Sequence, residues 1–450
     1  RSGGAMPHPY AMRRTILLAV AGAALLGTGL LVLRRLDRSP AAPGTAQQQE
    51  QEGPLALAHP EPEAPAPREQ PAPSSVAGLD LVHVGSAEGG PTAPADGGTA
   101  RLTLDLELQR EALGLMAMRH LPEAAVVLLD VATGRVLVYA SHVEHGVPRD
   151  LCAEATAPSA SVFKIVTAAA LVEDAHLGPD TKQCYSGGEQ RINATDLVED
   201  PARDRWCTTL AGAMGRSINT VFARLAKEHL TPTQLESMAR RFGYGDAVAF
   251  DVPVQPGGLH IPAEPLEFAR TAAGFWNTTL SPLQAAEMSA TVAHEGEAVR
   301  PHVVDRVVSD RGETVWSAPE DAPAHRAIGR DVAQQLTAMM ERTVIEGTSF
   351  RAFHDPSGGT FLPGIAVAGK TGTLTEAESQ RYYTWFTGFA PVHPDASARQ
   401  VAVAVLVVNG PAWQVKANVL ARDVLRAYFA EHGVQGVTRP STREIARHRR

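Results

Sequence analysis

The sequence predicts an α/β fold. A largely antiparallel sheet is covered by helices from the two ends of the folded region, an all-helical insertion lies between them, and a membrane-spanning helix precedes the whole. Three observations carry this. Residues 124–131 and 135–141 are apolar, β-branched runs separated by Ala132-Thr133-Gly134, a hairpin signature, and 382–389 and 401–408 repeat the buried-strand pattern. Helical periodicity flanks these runs: Leu106, Leu113, Met116 and Ala117 share one face, and 413–429 closes as a helix. Between them, 209–228, 232–241, 282–294 and 329–345 read as helices, with Pro282 in a first turn, and 299–318 as a β excursion. Residues 176–208 read as irregular.

The first 99 residues are organised differently. Residues 1–14 form a short basic segment, and 15–33 carry no charge, long enough to cross a bilayer at 1.5 Å per residue. A signal peptide usually has a shorter apolar core and a small-residue cleavage site; here the run meets Arg34-Arg35, which favours an uncleaved anchor. Residues 34–99 are rich in Ala, Pro, Glu, Gln and Gly and cannot bury a core. They read as a disordered tether with a reach of roughly 40–50 Å. The folded domain is expected over 100–431, and the Arg-rich tail 432–450 is expected to fray. The net charge of −8, without a dominant basic stripe, argues against a nucleic-acid partner. His142-Val143-Glu144-His145 does not have the spacing of a zinc-protease pair, and neither a metal nor a cofactor is expected.

Chemistry concentrates at Ser161-Val162-Phe163-Lys164. The stretch opens an Ala-rich helix, so Ser161 and Lys164 lie on one face. A serine hydroxyl needs a base, and lysine serves only when neutral, a state that burial among apolar neighbours such as Phe163, Ile165 and Val166 favours. The chain has five lysines, at 164, 182, 227, 370 and 416, and only Lys164 has a serine three residues before it. Two further stretches follow, Ser217-Ile218-Asn219 and Lys370-Thr371-Gly372-Thr373. Read alone, the first is equally a helix cap and the second equally a strand-end turn.

Together, in this order, the three resemble the penicillin-binding protein transpeptidases and serine β-lactamases. Further stretches resemble the same family: Leu102-Thr103-Leu104-Asp105 with Gln109, Val127-Leu128-Leu129-Asp130, Leu280-Ser281-Pro282-Leu283-Gln284, Glu346-Gly347-Thr348 and Trp385-Phe386-Thr387-Gly388. The resemblance implies a five-stranded sheet with both terminal helices on one face and a helical subdomain. It implies a peptidoglycan DD-transpeptidase that binds penicillin covalently. Ser161 would attack the D-Ala-D-Ala carbonyl, Lys164 would take its proton, and Ser217 would relay a proton to the leaving amine. Asn219 would orient Lys164. Lys370 would stay cationic to attract the substrate's carboxylate, and Thr371, Gly372 and Thr373 would hold the peptide. The N–H groups of Ser161 and Thr373 would form the oxyanion hole.

The family usually has glycine where Ala160 stands. The expected partners are stem peptides, β-lactams and the membrane, with possible cell-wall synthesis proteins, and the catalytic domain is expected outside the cytoplasm, in the periplasm. There Cys184 and Cys207 could form a disulfide, leaving Cys152 free; three reduced thiols are the alternative. Alternative activities are a DD-carboxypeptidase, in which water replaces the acceptor amine, and a β-lactamase, against which stand Asn219 and the lack of a deacylating Glu-x-x-x-Asn. A non-catalytic β-lactam sensor or scaffold is the third reading.

Overall fold

The computed structural model describes residues 79–81, 84–87, 90–188, 191–318, 325–376, 378–394, 399–411 and 413–447. All lie in the unit Glu63–Arg450, and the segment 15–33 expected to be an anchor and most of the expected tether fall outside the described residues. Among the described residues no helix is long and apolar enough to cross a membrane.

The chain first forms three short strands, β1 (Gly85–Ala87), β2 (Gly90–Ala95) and β3 (Gly98–Leu102). This corrects the expectation that the tether runs unstructured to 99. The strands pair antiparallel with one another, and β3 pairs with β10 (Val304–Val308), itself paired to β11 (Thr314–Ser317). Small residues such as Ala93 and Ala100 are buried there, and Leu79, Leu81 and Val84 pack against the main core. Composition conceals these strands because their partner lies two hundred residues downstream.

Helix α1 (Leu106–Met118) starts where Asp105 accepts hydrogen bonds from the N–H groups of Glu107 and Leu108. Gln109 is exchanged in both directions with the Tyr139 backbone (2.7 and 2.8 Å), locking α1 to the hairpin β4 (Glu123–Asp130) and β5 (Val136–Val143). A two-residue strand β6 (Ala157–Pro158) then delivers the chain to α2 (Lys164–Glu173). The region read as irregular contains a hairpin, β7 (Lys182–Tyr185) with β8 (Trp206–Thr209), closed by a Cys184–Cys207 disulfide.

The helical part follows: α3 (Leu210–Arg216), α4 (Asn219–His229), α5 (Pro232–Arg241), α6 (Pro265–Ala272), the short strand β9 (Thr279–Leu280) and α7 (Pro282–Ala293). The single helix expected over 209–228 is therefore two, parted at Ser217, whose backbone is left-handed (φ 58°). Proline at the first turn and a side-chain cap begin α5, through Thr231, and α7, through Ser281. After β10 and β11 come α8 (Arg330–Ile345), α9 (Phe350–Phe353), β12 (Ala368–Glu376), β13 (Arg381–Ala390), β14 (Val401–Asn409), α10 (Ala417–Glu431) and α11 (Thr442–Arg447).

The central sheet has the order β12-β13-β14-β4-β5, every pair antiparallel, so β12 is an edge. One apolar cluster joins α1, α10 and the sheet; the other joins α2, the helical insertion and α7. The expected fraying tail instead folds back: Arg426 donates to the Thr438 carbonyl (2.9 Å), and Ile445 is buried.

Candidate active site

The nucleophile candidate sits on a single 3-10 turn, Ala160–Phe163, leading into α2. With three residues per turn, positions i and i+3 eclipse, which brings Lys164 directly beside Ser161. Lys164 Nζ donates to Ser161 Oγ (2.7 Å), to Asn219 Oδ1 (2.7 Å) and to the carbonyl of Ala273. The lysine is completely buried. The Phe222 ring lies under its amine, 5.6 Å from Nζ to the ring centre, and Phe163 packs edge-on against Tyr244. Burial, and secondarily the Lys370 amine, hold the Lys164 pKa well below the ordinary lysine range.

Ser217 and Asn219 are placed by the break between α3 and α4. Ser217 closes α3 in the left-handed region, and Asn219 opens α4, so the two side chains point to different lysines. Asn219 receives Lys164, and Ser217 Oγ receives Lys370 Nζ at 2.8 Å. Lys370 also reaches the Thr371 carbonyl (2.8 Å) and is completely buried. Burial pushes its pKa down to about 7, which modifies the expectation of a permanent cation: near neutral pH the amine is divided between both forms. Among the described residues no carboxylate is paired with either lysine.

Strand β12 runs along the nucleophile turn. A Cβ on Gly372 would lie 3.2 Å from that of Ala160 and 3.3 Å from the Ser159 carbonyl, so a side chain there would press the strand and the turn apart by a few tenths of an ångström. From the other side, Trp385 Nε1 donates to the Pro158 carbonyl (2.9 Å). Thr371 Oγ1 shares a hydrogen bond with Thr348 Oγ1 (2.6 Å), and the Thr348 N–H reaches the Gly215 carbonyl (3.0 Å). Ala160, just before the nucleophile candidate, takes φ 50°.

Two cavities meet at Ser161. One, of about 210 Å³, is lined by Ser217, Asn219, Thr371, Gly372 and Thr373, and also by Thr348, Lys416 and Asn418. The other, of about 910 Å³, is lined by Asn219, Thr373, Arg191, Arg270 and Trp276 among others. The structure thus gathers Ser161, Lys164, Ser217, Asn219, Lys370, Thr371, Gly372 and Thr373 in one place. Sequence reasoning missed the Ala273 carbonyl, Lys416, Asn418 and Trp276. Lys416 carries the one usable signal, as one of only five lysines.

The profile of the penicillin binding protein transpeptidase domain matches residues 124–426, well over half of the chain. The chain belongs to the penicillin-binding protein transpeptidase family. Peptidoglycan D,D-transpeptidase PbpA of Mycobacterium tuberculosis is 29% identical over 270 residues, which are 57% of this chain and 50% of that protein. Stage V sporulation protein D of Bacillus subtilis is 24% identical over 335 residues, 69% of this chain and 50% of its own. The chain therefore spans about half the length of these relatives. Among solved structures, the D,D-transpeptidase domain of a peptidoglycan glycosyltransferase from Eggerthella lenta superposes with a TM-score of 0.62 at 26% identity, covering 74% of this chain and 84% of that one. An imipenem acyl-enzyme complex of penicillin-binding protein A from M. tuberculosis shares the fold, with a TM-score of 0.57 at 23% identity and coverage of 73% and 79%.

One consequence of this penicillin-binding fold concerns Gly274, which has φ 86° and lies against the nucleophile turn. An added Cβ would stand 2.4 Å from the Ala160 carbonyl oxygen and 2.9 Å from Ser161 Cα, all backbone that cannot swing aside. Gly274→Ala is expected to lower stability by about 2–4 kcal/mol, the sum of left-handed strain and overpacking, and to slow reaction at Ser161. Urea unfolding and penicillin labelling check the two effects.

Proposed function

We propose that this protein is a peptidoglycan DD-transpeptidase working through a serine acyl-enzyme. The single observation that carries the reading is the fully buried Lys164 amine, 2.7 Å from Ser161 Oγ and without a carboxylate partner among the described residues. When neutral, the amine keeps its two protons on Asn219 Oδ1 and the Ala273 carbonyl and accepts from the Ser161 hydroxyl, which makes it a general base in place.

In the proposed reaction Ser161 Oγ attacks the carbonyl of the D-Ala-D-Ala bond while its proton passes to Lys164 Nζ. The C–N bond then breaks, the leaving D-Ala amine takes a proton through Ser217, and an acyl ester remains on Ser161. An acceptor amine attacks the ester, returns a proton, and restores Ser161 with a new peptide bond formed. Asn219 orients Lys164 by accepting its hydrogen bond. Lys370, Thr371 and Thr373 receive the terminal carboxylate; an anion there would raise the Lys370 pKa from about 7 and hold it cationic. The N–H groups of Ser161 and Thr373 would take the oxyanion, an assignment supported by the close passage of edge strand β12 past the nucleophile turn. The M. tuberculosis penicillin-binding protein A forms an acyl-enzyme with imipenem, which supports the same chemistry here.

We further propose that residues 15–33 anchor the protein in the cell membrane with the domain outside the cytoplasm, where the Cys184–Cys207 disulfide persists. The test of function is fluorescent penicillin labelling of the protein followed over time, beside Ser161→Ala. Stable label on the parent and none on the variant is the expected result. Label that disappears within seconds would point to a β-lactamase, and an unlabelled parent would favour a non-catalytic module.

A further inference from the structure

Residues 273–277 line the larger cleft, and the segment 273–278 is pinned to the nucleophile turn. The Ala273 carbonyl takes Lys164, and the Thr278 carbonyl takes the Ser159 N–H at 3.0 Å. Asn277 is held twice, its Nδ2 on Thr271 Oγ1 (2.9 Å) and its carbonyl on the His260 N–H (3.0 Å). Between the pins three residues have left-handed backbones: Gly274 (φ 86°), Trp276 (φ 29°) and Asn277 (φ 66°). Glycine is at ease there and asparagine tolerates it, but a bulky aromatic carries a steric cost that glycine would not.

Among the described residues, no specific contact within the fold fixes the ring in this conformation. Trp276 is 45% exposed and makes no hydrogen bond or ring contact among the described residues, unlike Trp385, whose buried indole is hydrogen bonded. Its side chain faces the cleft that reaches Ser161, alongside Arg191 and Arg270. Strain kept at an exposed aromatic on a rigid loop beside a nucleophile points to a ligand contact.

We infer that Trp276 is a positioning residue for the acyl donor: its indole face stacks on the arm that the donor carries on the acyl side of the bond Ser161 attacks. Donors with a flat or apolar arm are thereby favoured over those with a small one. The inference rests on the acyl-enzyme reading above.

The test measures second-order acylation constants of the purified protein, Trp276→Gly and Trp276→Phe with two penicillins, one bearing a phenylacetyl arm and one an acetyl arm. The parent is expected to prefer the phenylacetyl arm about tenfold. Trp276→Gly should lose this preference, with its constant for the acetyl arm within about twofold of the parent's, and Trp276→Phe should keep most of it. The thermal midpoint of Trp276→Gly should change little, since relief of the left-handed strain opposes the loss of the indole's buried part. A preserved preference in Trp276→Gly overturns the inference. So does a fall in midpoint accompanied by an equal fall in both constants, which would make the indole a structural element. Failure of the parent to react with either penicillin overturns the acyl-enzyme reading and this inference with it, an outcome separate from loss of preference alone.

Discussion

Replacing Lys164 by methionine is expected to slow acylation of Ser161 by penicillin by about a thousandfold or more while the protein stays folded. The amine is the only side-chain base bonded to Ser161 Oγ among the described residues, and methionine fills similar volume without one. Folding should survive at a modest cost, because a buried amine is itself costly while Asn219 Oδ1 and the Ala273 carbonyl lose their donor. Rapid-quench labelling with thermal unfolding separates the two effects; full activity in a folded variant would remove Lys164 from the chemistry. The pH dependence has a defined sign. Lys164 acts when neutral, so acylation rises with pH through its depressed pKa. The Lys370 amine contributes to that depression, so Lys370→Met should raise the Lys164 pKa and move the ascending limb to higher pH. A limb that stays in place would mean that desolvation alone sets the base.

Replacing Arg224 by methionine is expected to cost about 3–5 kcal/mol of stability and to slow acylation without touching the nucleophile. Arg224 is buried in α4 and binds the Asp204 carboxylate through two nitrogens (2.6 and 3.1 Å). It also donates to the carbonyls of Cys184 (2.8 Å), Asp196 (2.6 Å) and Val198 (2.9 Å). One side chain thus ties the disulfide hairpin and its following loop to the helix that Asn219 begins. Without it, Asp204 loses its counter-charge, three carbonyls lose a donor, and Asn219 is freed relative to Lys164. The pair also sets an acid limb. Arg224 holds the Asp204 pKa down at about 2, below the unfolded value of 3.8, so its contribution is present above about pH 4 and lost as pH falls toward 2. Arg224→Met should lose less stability over that window than the parent does. Chemical denaturation at pH 7 and pH 3 measures both; equal acid sensitivity in parent and variant would show that another carboxylate controls the limb.

How much of this was legible beforehand differs between elements. The hairpin β4–β5, the strands β13 and β14 and the helix α10 follow from runs of apolar residues whose period matches their structure, because each is buried along its length. Residues 85–99, which form β1, β2 and the start of β3, have the composition of a tether, since Gly, Pro, Ala and Thr carry little strand signal until β10 supplies a pairing partner. The helix over 209–228 looked continuous because its apolar period does not falter at Ser217; only the left-handed backbone there parts α3 from α4.

The sequence by itself determined the presence of a hydroxyl and an amine one turn apart, the order of three short stretches and the antiparallel core. These depend on local spacing and on hydrophobic period, both written along the chain. Only the tertiary structure decided that Lys370 binds Ser217, that Lys370 is buried deeply enough to bring its pKa to about 7, and that Trp276 stands strained at the cleft. Each of those depends on how far water is excluded and on which distant backbone lies alongside, and neither is a property of any one segment.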